Sequence, residues 1–403
     1  MHSTSHLEQQ RKGSLACLMD IGPAVHQRAG LSRYAERLAS TMAGSAPDMD
    51  LTLFYNRHSG RVPPASLQHL PMRTIDAGQY AWRISVLAGQ QARVPHRPVD
   101  AIARSLVATT GDASSVVYHA TEHLLPRLSC ASVLTIHDLI FDRFPQYHTR
   151  ANRLFLQVGM PLFIRDATLI IAVSETTKRD ILARYHVDPA RVRVVYEGID
   201  REFEPAPEDA VRRIRAQYSQ GAPYLLMVGA IEPRKNHYAA VVALARLREA
   251  GYPHKLLIAG AKGWMTEPIF QHARRSSVAD AVSFLGFVPQ QDLPALYSAA
   301  DVFLLPSWYE GFGFIVLEAM ACGTPVVCSN VGSLPEITGD AALTVAPQDV
   351  AGLVQSIRNV LTQPKLRQTM ARLGRANAAR FHWSTCAQET IAVYREAAAR
   401  HRS

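Results

Sequence analysis

The sequence predicts an α/β protein built as two doubly wound parallel-sheet domains. Three observations predict it. Short apolar runs alternate with longer stretches of helical character along the chain, the pattern of parallel strands joined by crossover helices. The alternation halts at a charged, proline-bearing stretch, Arg201 to Pro223, and then begins again. The length of 403 residues exceeds one ordinary core and suits two.

In the first half, Leu15–Met19, Leu51–Tyr55, Val116–Tyr118, Val133–Ile136, Thr168–Val173 and Val192–Val195 read as strands. Arg201 to Pro223 reads as a linker plus a helix. The second half restarts with Tyr224–Val228, Lys255–Ile258, Val282–Leu285, Val302–Leu305, Pro325–Cys328 and Leu343–Val345. Near the chain end Ser384 is a plausible N-cap, and Ile391, Tyr394 and Ala398 recur at helical spacing, so a final amphipathic helix is expected. These readings give a first domain over 1–203, a second over 204–383 and a closing helix over 384–403. Doubly wound sheets bind ligands beyond the carboxyl ends of their strands, so the two domains are expected to face each other across a substrate cleft.

An apolar share of 48% with 19% charged residues excludes disordered, collagen-like and coiled-coil chains. No uncharged apolar run approaches the ~18–20 residues that cross a bilayer. The amino terminus, Met1 to Gln10, is polar, and Ser14 to Met19 falls short of the ~7–15 apolar residues of a signal core, so a cytoplasmic protein is expected. Five scattered cysteines without C-x2-C spacing read as buried, reduced thiols.

The formal charge is +9, and seven arginines against two aspartates between Arg57 and Arg104 place a net +5 in one stretch. No basic tail or aromatic-plus-basic nucleic-acid module accompanies it, so a nucleic-acid partner is not expected. Anionic lipid head groups suit such a face, with Trp82, Ile84, Val86 and Leu87 entering the interface beside Arg83; a solvated basic face, or burial of these apolar residues, explains it equally.

The strongest local signal runs from Ser307 to Pro325. A strand ends, Gly311 and Gly313 let backbone amides approach a ligand, and a helix begins whose N-terminal N–H groups and dipole favour phosphate. Glu310 lies in the loop and Glu318 two turns into the helix, too far apart to share a proton, so each is expected to accept hydrogen bonds from sugar hydroxyls. Arg234 and Lys235 follow a strand and a Pro turn, where two adjacent cations are expected to meet an anion.

On these residues the chain resembles the retaining GT-B glycosyltransferases of glycosyltransferase family 4, whose hallmark is Glu-x7-Glu in this context. The resemblance covers almost the whole chain, including Gly30-Leu31-Ser32-Arg33-Tyr34, Thr135-Ile136-His137-Asp138-Leu139, Ala172-Val173-Ser174-Glu175, Val228 through Asn236, and Phe284 through Pro289. It implies that Arg234 and Lys235 hold the donor diphosphate, that Glu318 binds the nucleotide ribose, and that Glu310 reaches the donor sugar with the amides of Gly311, Phe312 and Gly313. Val288 would line the base pocket. His137 would lie beside the donor sugar at the reaction centre, and Gly30 would let the first strand-to-helix loop approach the donor phosphate. Arg33, His119 and Asp138 are the acceptor-side candidates. Ala29, Ser32, Ala230 and Ile315 depart from the family's usual residues.

Two other patterns compete for attention. His119-Ala120-Thr121-Glu122-His123 fits the H-x-x-E-H of zinc peptidases, but it follows a strand directly and runs into Pro126, which suits a cleft loop. Asp48-Met49-Asp50 has a metal-binding D-x-D form but reads as a turn.

The expected function is metal-independent transfer of a sugar, with mannose from GDP-mannose favoured by resemblance to bacterial mannosyltransferases, to a hydroxyl of a lipid-linked or polysaccharide glycan. The nucleotide sugar is a substrate and no cofactor is expected. A UDP-sugar-dependent transferase and a GT-B sugar-nucleotide epimerase are the alternatives. A dehydrogenase is disfavoured, because Gly311-x-Gly313 continues to Val316 where a third glycine would stand.

Overall fold

The structure is a computed structural model that describes residues 15–46, 48–107, 112 and 115–402. The polar stretch from Met1 to Gln10 lies outside the described residues. The chain divides between Glu197 and Gly198 into two units, the first including the chain end from Trp383 and the second running from Gly198 to His382. The division falls before 203 for a local reason. Ile199 bridges His382, and its N–H donates to the Phe381 carbonyl at 3.2 Å, which ties the segment after Gly198 into the second unit.

The first unit holds a parallel sheet of β1 (Leu15–Asp20), β2 (Met49–Asn56), β3 (Met72–Ile75), β4 (Val116–Ala120), β5 (Ala131–Ile136), β6 (Leu169–Ala172) and β7 (Val192–Val194). Its order is β3-β2-β1-β4-β5-β6-β7, so the winding reverses between β1 and β4. The sequence reading missed β3. It is a four-residue edge strand with exposed Arg73, and an edge needs no continuous apolar run. The central strands β1 and β4 are buried at every position. Helices α1 (Ala29–Ala43), α2 (Gln79–Ala92) and α3 (Arg150–Asp166) belong to the same unit. Asp48-Met49-Asp50 leads into β2 and Met49 and Asp50 belong to it.

In the second unit β8 (Tyr224–Val228), β9 (Lys255–Ala259), β10 (Val282–Gly286), β11 (Val302–Leu305), β12 (Val326–Ser329) and β13 (Ala342–Val345) form a parallel sheet ordered β10-β9-β8-β11-β12-β13. Winding reverses between β8 and β11. Helix α4 (His237–Glu249) follows β8, α5 (Leu293–Ala299) precedes β11 and α6 (Phe314–Ala321) follows it. Leu225, Met227, Leu256, Ile258, Val302 and Leu304 anchor this unit's core.

The final helix, α7 (Trp383–Arg402), packs within the first unit and buries Trp383, Cys386, Ile391 and Tyr394. It begins one residue before Ser384, which is therefore its second residue and not its cap. Among the described residues no helix is long and apolar enough to cross a membrane. All five cysteines are free and buried.

Candidate active site

Ligands of doubly wound sheets gather where the winding reverses, because the loops after the two flanking strands part there and leave a crevice. In the second unit those loops are Gly229 to Asn236 after β8 and Pro306 to Gly313 after β11. They carry most of the residues singled out from the sequence.

Asn236 fixes the first loop. It adopts left-handed backbone (φ 55°), caps α4 by accepting from the Ala239 N–H at 3.4 Å, and donates to the Pro306 and Pro347 carbonyls at 3.0 and 2.8 Å. A sharp turn before a helix needs such a residue, and asparagine tolerates it. Lys235 and Arg234 are thereby aimed at the second loop. The Arg234 guanidinium lies 2.6 Å from Glu310 Oε2 and donates to the Tyr309 carbonyl at 2.6 Å, while Lys235 Nζ donates to Glu310 Oε1 at 3.3 Å. Ser307 donates to the same Oε1 at 2.8 Å.

Burial works against the Glu310 charge, but Arg234 and Lys235 outweigh it and hold the carboxyl at about 2. Glu310 is thus an ionised hydrogen-bond acceptor at every physiological pH. Glu232, buried and paired with Arg234 from the other side, brings the cluster to two cations and two carboxylates. An arriving diphosphate would meet cations already positioned, in competition with carboxylates.

The Glu310 loop is clamped from β12. The Ser333 N–H and hydroxyl both donate to the Glu310 carbonyl at 3.0 Å, and the hydroxyl also donates to the Phe312 carbonyl at 2.6 Å. Gly332 lets this happen. Its φ is +63°, and a Cβ there would lie 2.5 Å from the Glu310 carbonyl oxygen. Sequence reasoning missed Gly332 and Ser333; their only signal was a Gly-Ser pair beyond a strand. Phe312 is buried against Phe381, ring centroids 5.9 Å apart, and Gly313, at φ 109°, turns the chain into α6. Glu318, on α6 and almost wholly buried, accepts from the Tyr297 hydroxyl of α5 at 2.6 Å. Val288 is buried beyond β10, beside an exposed Phe287.

The first-unit residues behave differently. His137, at the end of β5, donates from Nε2 to the Thr121 carbonyl at 2.9 Å, while Nδ1 meets Glu197 Oε1 at 3.0 Å. Burial favours the neutral ring, but Glu197 outweighs it by hydrogen bond and charge and raises the pKa above the usual 6.5. Both ring nitrogens are occupied by protein groups. Glu197, paired with His137 and kept company by the Arg33 charge, was not foreseen; it lies 60 residues away in sequence. Gly30 is the second residue of α1 rather than part of the loop before it, and is exposed. Asp138 is half-buried and accepts from the Ile140 N–H at 3.0 Å.

His119 requires a correction. It lies inside β4, fully buried, with Nδ1 2.6 Å from the Tyr394 hydroxyl and Nε2 2.7 Å from Thr135 Oγ1. Burial, then the His137 charge, lowers its pKa to about 3, so the ring is neutral and serves as a buried strut between the sheet and α7. The strand extends beyond Tyr118 because β1 and β5 pair on both sides of it, and His119 and His123 do not share a helix.

The structure adds an unforeseen polar pocket at the β1–β4 switch of this unit, lined by Asp20, His26, Arg28, Asn56, His58 and Glu122 among others. Asp20 accepts from the Gly22 N–H at 2.7 Å, and Arg28 pairs with Glu122. Burial and the Glu122 charge push Asp20 up to about 7.

Comparison with solved structures locates this architecture. Sucrose-phosphate synthase from Thermosynechococcus elongatus matches with a TM-score of 0.73 at 22% identity, covering 95% of this chain and 98% of that one. Anabaena HepE, solved with UDP-glucose, matches at 0.71 and 20%, covering 94% and 99%. The fold is that of the GT-B glycosyltransferases.

Sequence comparison narrows the class. Residues 29–203 match the model of Glycosyltransferase Family 4, and residues 211–377 that of glycosyl transferases group 1. The chain is 32% identical over 286 residues to O-antigen chain mannosyltransferase B of Escherichia coli, covering 70% of this chain and 75% of the relative. It is 37% identical over 234 residues to a glycogen synthase of Mycobacterium tuberculosis (strain CDC 1551 / Oshkosh), covering 57% and 55%. This chain belongs to glycosyltransferase family 4 and is a glycosyltransferase.

Proposed function

We propose that this enzyme transfers mannose from GDP-mannose, with retention of anomeric configuration and without a metal, to a hydroxyl of a lipid-linked or polysaccharide glycan at the cytoplasmic face of a membrane. The observation that carries the transfer reading is the meeting of Arg234, Lys235 and Glu310 at the switch point of the second sheet. The choice of mannose is supported by the likeness to the O-antigen mannosyltransferase.

In this reading the bond between the sugar's anomeric carbon and the β-phosphate oxygen breaks, and negative charge grows on that phosphate. Arg234, Lys235 and the amides opening α6 stabilise it, the part a metal takes elsewhere. The acceptor oxygen attacks from the face the phosphate leaves, and the departing phosphate takes the acceptor proton. Glu310, held ionised, orients donor hydroxyls and is not a nucleophile. Glu318 holds the ribose, and Val288 the base. The first unit receives the acceptor: Asp20 and Glu122 offer carboxyl groups to saccharide hydroxyls, and the hydrogen-bonded His137–Glu197 pair keeps the end of β5 in shape.

Thermal shift with GDP, UDP and ADP tests the donor, because a ligand that binds only the folded state raises its stability by mass action. GDP is expected to raise the melting temperature most, and GDP-mannose to yield a retained glycoside with a chelator present. Stabilisation by UDP alone overturns the donor assignment. Conversion of the donor sugar without any acceptor makes the enzyme an epimerase.

A further inference from the structure

Helix α2 is apolar on two faces. Trp82 and Val86, for which the sequence left a lipid interface and burial in the core equally open, point inward and are buried in the core of the first unit. The opposite stripe, Tyr80 and Ile84 one turn apart, is 80% and 65% exposed, with half-buried Leu87 continuing it. Helix α3 repeats the arrangement. Leu156, Met160 and Phe163 face the core, while Leu154 and Val158, again four residues apart, are 63% and 48% exposed.

These two stripes lie side by side. Near the start of both helices the Arg83 guanidinium sits 3.8 Å over the Phe155 ring and donates to Asn152 at 2.7 Å; near their ends Arg165 donates to the Gln90 carbonyl at 3.2 Å. The helices therefore run alongside each other in the same direction, and their outward apolar residues share one surface. Water gains nothing from such a stripe, and a helix with apolar residues on opposite faces ordinarily has a partner on each.

The charge around the stripe says which partner. Helix α2 contains no acidic residue, and the one acid of α3, Asp166, is taken up by Arg127 and Arg165. Exposed Arg150 continues the Leu154 stripe one turn back, half-buried Arg153 lies beside it, and exposed Arg93 closes α2. Exposed aliphatic and tyrosine side chains set among arginines, with no acid on α2 and the single acid of α3 already paired, complement an anionic surface that also accepts apolar groups.

We propose that the paired outer faces of α2 and α3 dock this enzyme on an anionic lipid bilayer, with Tyr80, Ile84, Leu154 and Val158 entering the interface and the arginines meeting lipid phosphates. The inference is independent of which sugar is transferred, since it concerns where the enzyme sits.

The full-length protein is sedimented with vesicles of phosphatidylcholine, with and without phosphatidylglycerol, at low and high salt. The wild type is expected to bind only the phosphatidylglycerol vesicles and to be released by salt, because exposed charges are screened. I84E/L154E is expected to weaken vesicle binding at least about tenfold, since two apolar contacts are exchanged for repelled charges. R150Q/R153Q is expected to weaken binding and reduce its salt dependence. All four substituted positions are exposed or half-buried and outside the sugar-transfer machinery, so melting temperature and transfer to a soluble acceptor stay at wild-type values. Should I84E/L154E fail to fold, Y80S/V158S reads the same surface. Absence of wild-type binding to anionic vesicles overturns the proposal, as does binding that I84E/L154E and Y80S/V158S leave unchanged. A dimer in light scattering that I84E/L154E dissolves, without vesicle binding by the wild type, assigns the face to a second copy instead.

Discussion

The switch point of the second sheet and the end of β5 in the first make an instructive pair. In the second unit, two cations adjacent in sequence meet one carboxylate, and the charges are supplied by two loops whose motifs are each visible on their own. At the end of β5 in the first unit, His137, Glu197 and the loop holding Thr121 and His123 come from three separate segments, and His137 spends both ring nitrogens on protein partners. Cations gathered in the loops at a switch point can be offered to an anionic ligand, whereas a ring whose two nitrogens are both taken by carbonyl and carboxylate partners is structural material. The comparison predicts that substitutions at the second unit's cation cluster act on chemistry and binding, and those at the His137–Glu197 pair act on stability and its pH dependence.

The largest expected effect is on rate. Lys235→Ala removes one of the cations that the proposed mechanism sets against the departing phosphate and is expected to lower kcat about 10²–10³-fold, the loss typical of one electrostatic group at a developing charge. Steady-state kinetics check it, and a wild-type kcat would break the assignment. Gly332→Ala follows, because a left-handed φ of +63° and a Cβ 2.5 Å from the Glu310 carbonyl oxygen force the loop to move. A stability loss of at least about 2 kcal/mol together with weakened donor binding is expected from denaturant titration and calorimetry.

Glu318→Gln keeps the shape but gives up the charged acceptor, so nucleotide affinity is expected to fall about 10-fold or more, with less change in kcat than Lys235→Ala. An unchanged dissociation constant would detach Glu318 from the ribose. In the first unit, the raised pKa of His137 means that the folded state holds a proton the unfolded chain releases above 6.5. The stability this contributes is complete below 6.5 and is lost as pH rises through the higher folded value. Melting temperature is therefore expected to decline as pH rises above 6.5, and Glu197→Gln to flatten that decline while costing about 1–3 kcal/mol near neutrality. An identical pH slope in the variant would show that the pair does not set it. The smallest effect belongs to Arg193→Gln. Its partner Glu396 on α7 is 2.5 Å away, but both side chains are about one-third exposed, so less than about 1 kcal/mol is expected in thermal denaturation.

The sequence by itself determined the class of fold, since strand-length apolar runs spaced by helices can bury both faces only as parallel sheets. It singled out Arg234-Lys235 and the Glu310 to Glu318 segment as candidates, because each is contiguous and sits where a strand ends, and the structure brings Arg234, Lys235 and Glu310 together. Tertiary structure alone decided what contiguity does not encode. It added β3, whose edge position relieves it of an apolar pattern, and Gly332 and Ser333, whose role exists only because β12 lies beside β11. It gave His137 its carboxylate from 60 residues away and turned His119 from an acceptor-side candidate into a strut, since pairing on both sides drew that residue into β4. It also decided between the two readings of α2, burying Trp82 and Val86 while leaving Ile84 exposed. Hydrophobic periodicity marks a face, but a helix apolar on two faces turns inward whichever face packs better, and that is settled by the neighbouring sheet and not by the helix itself.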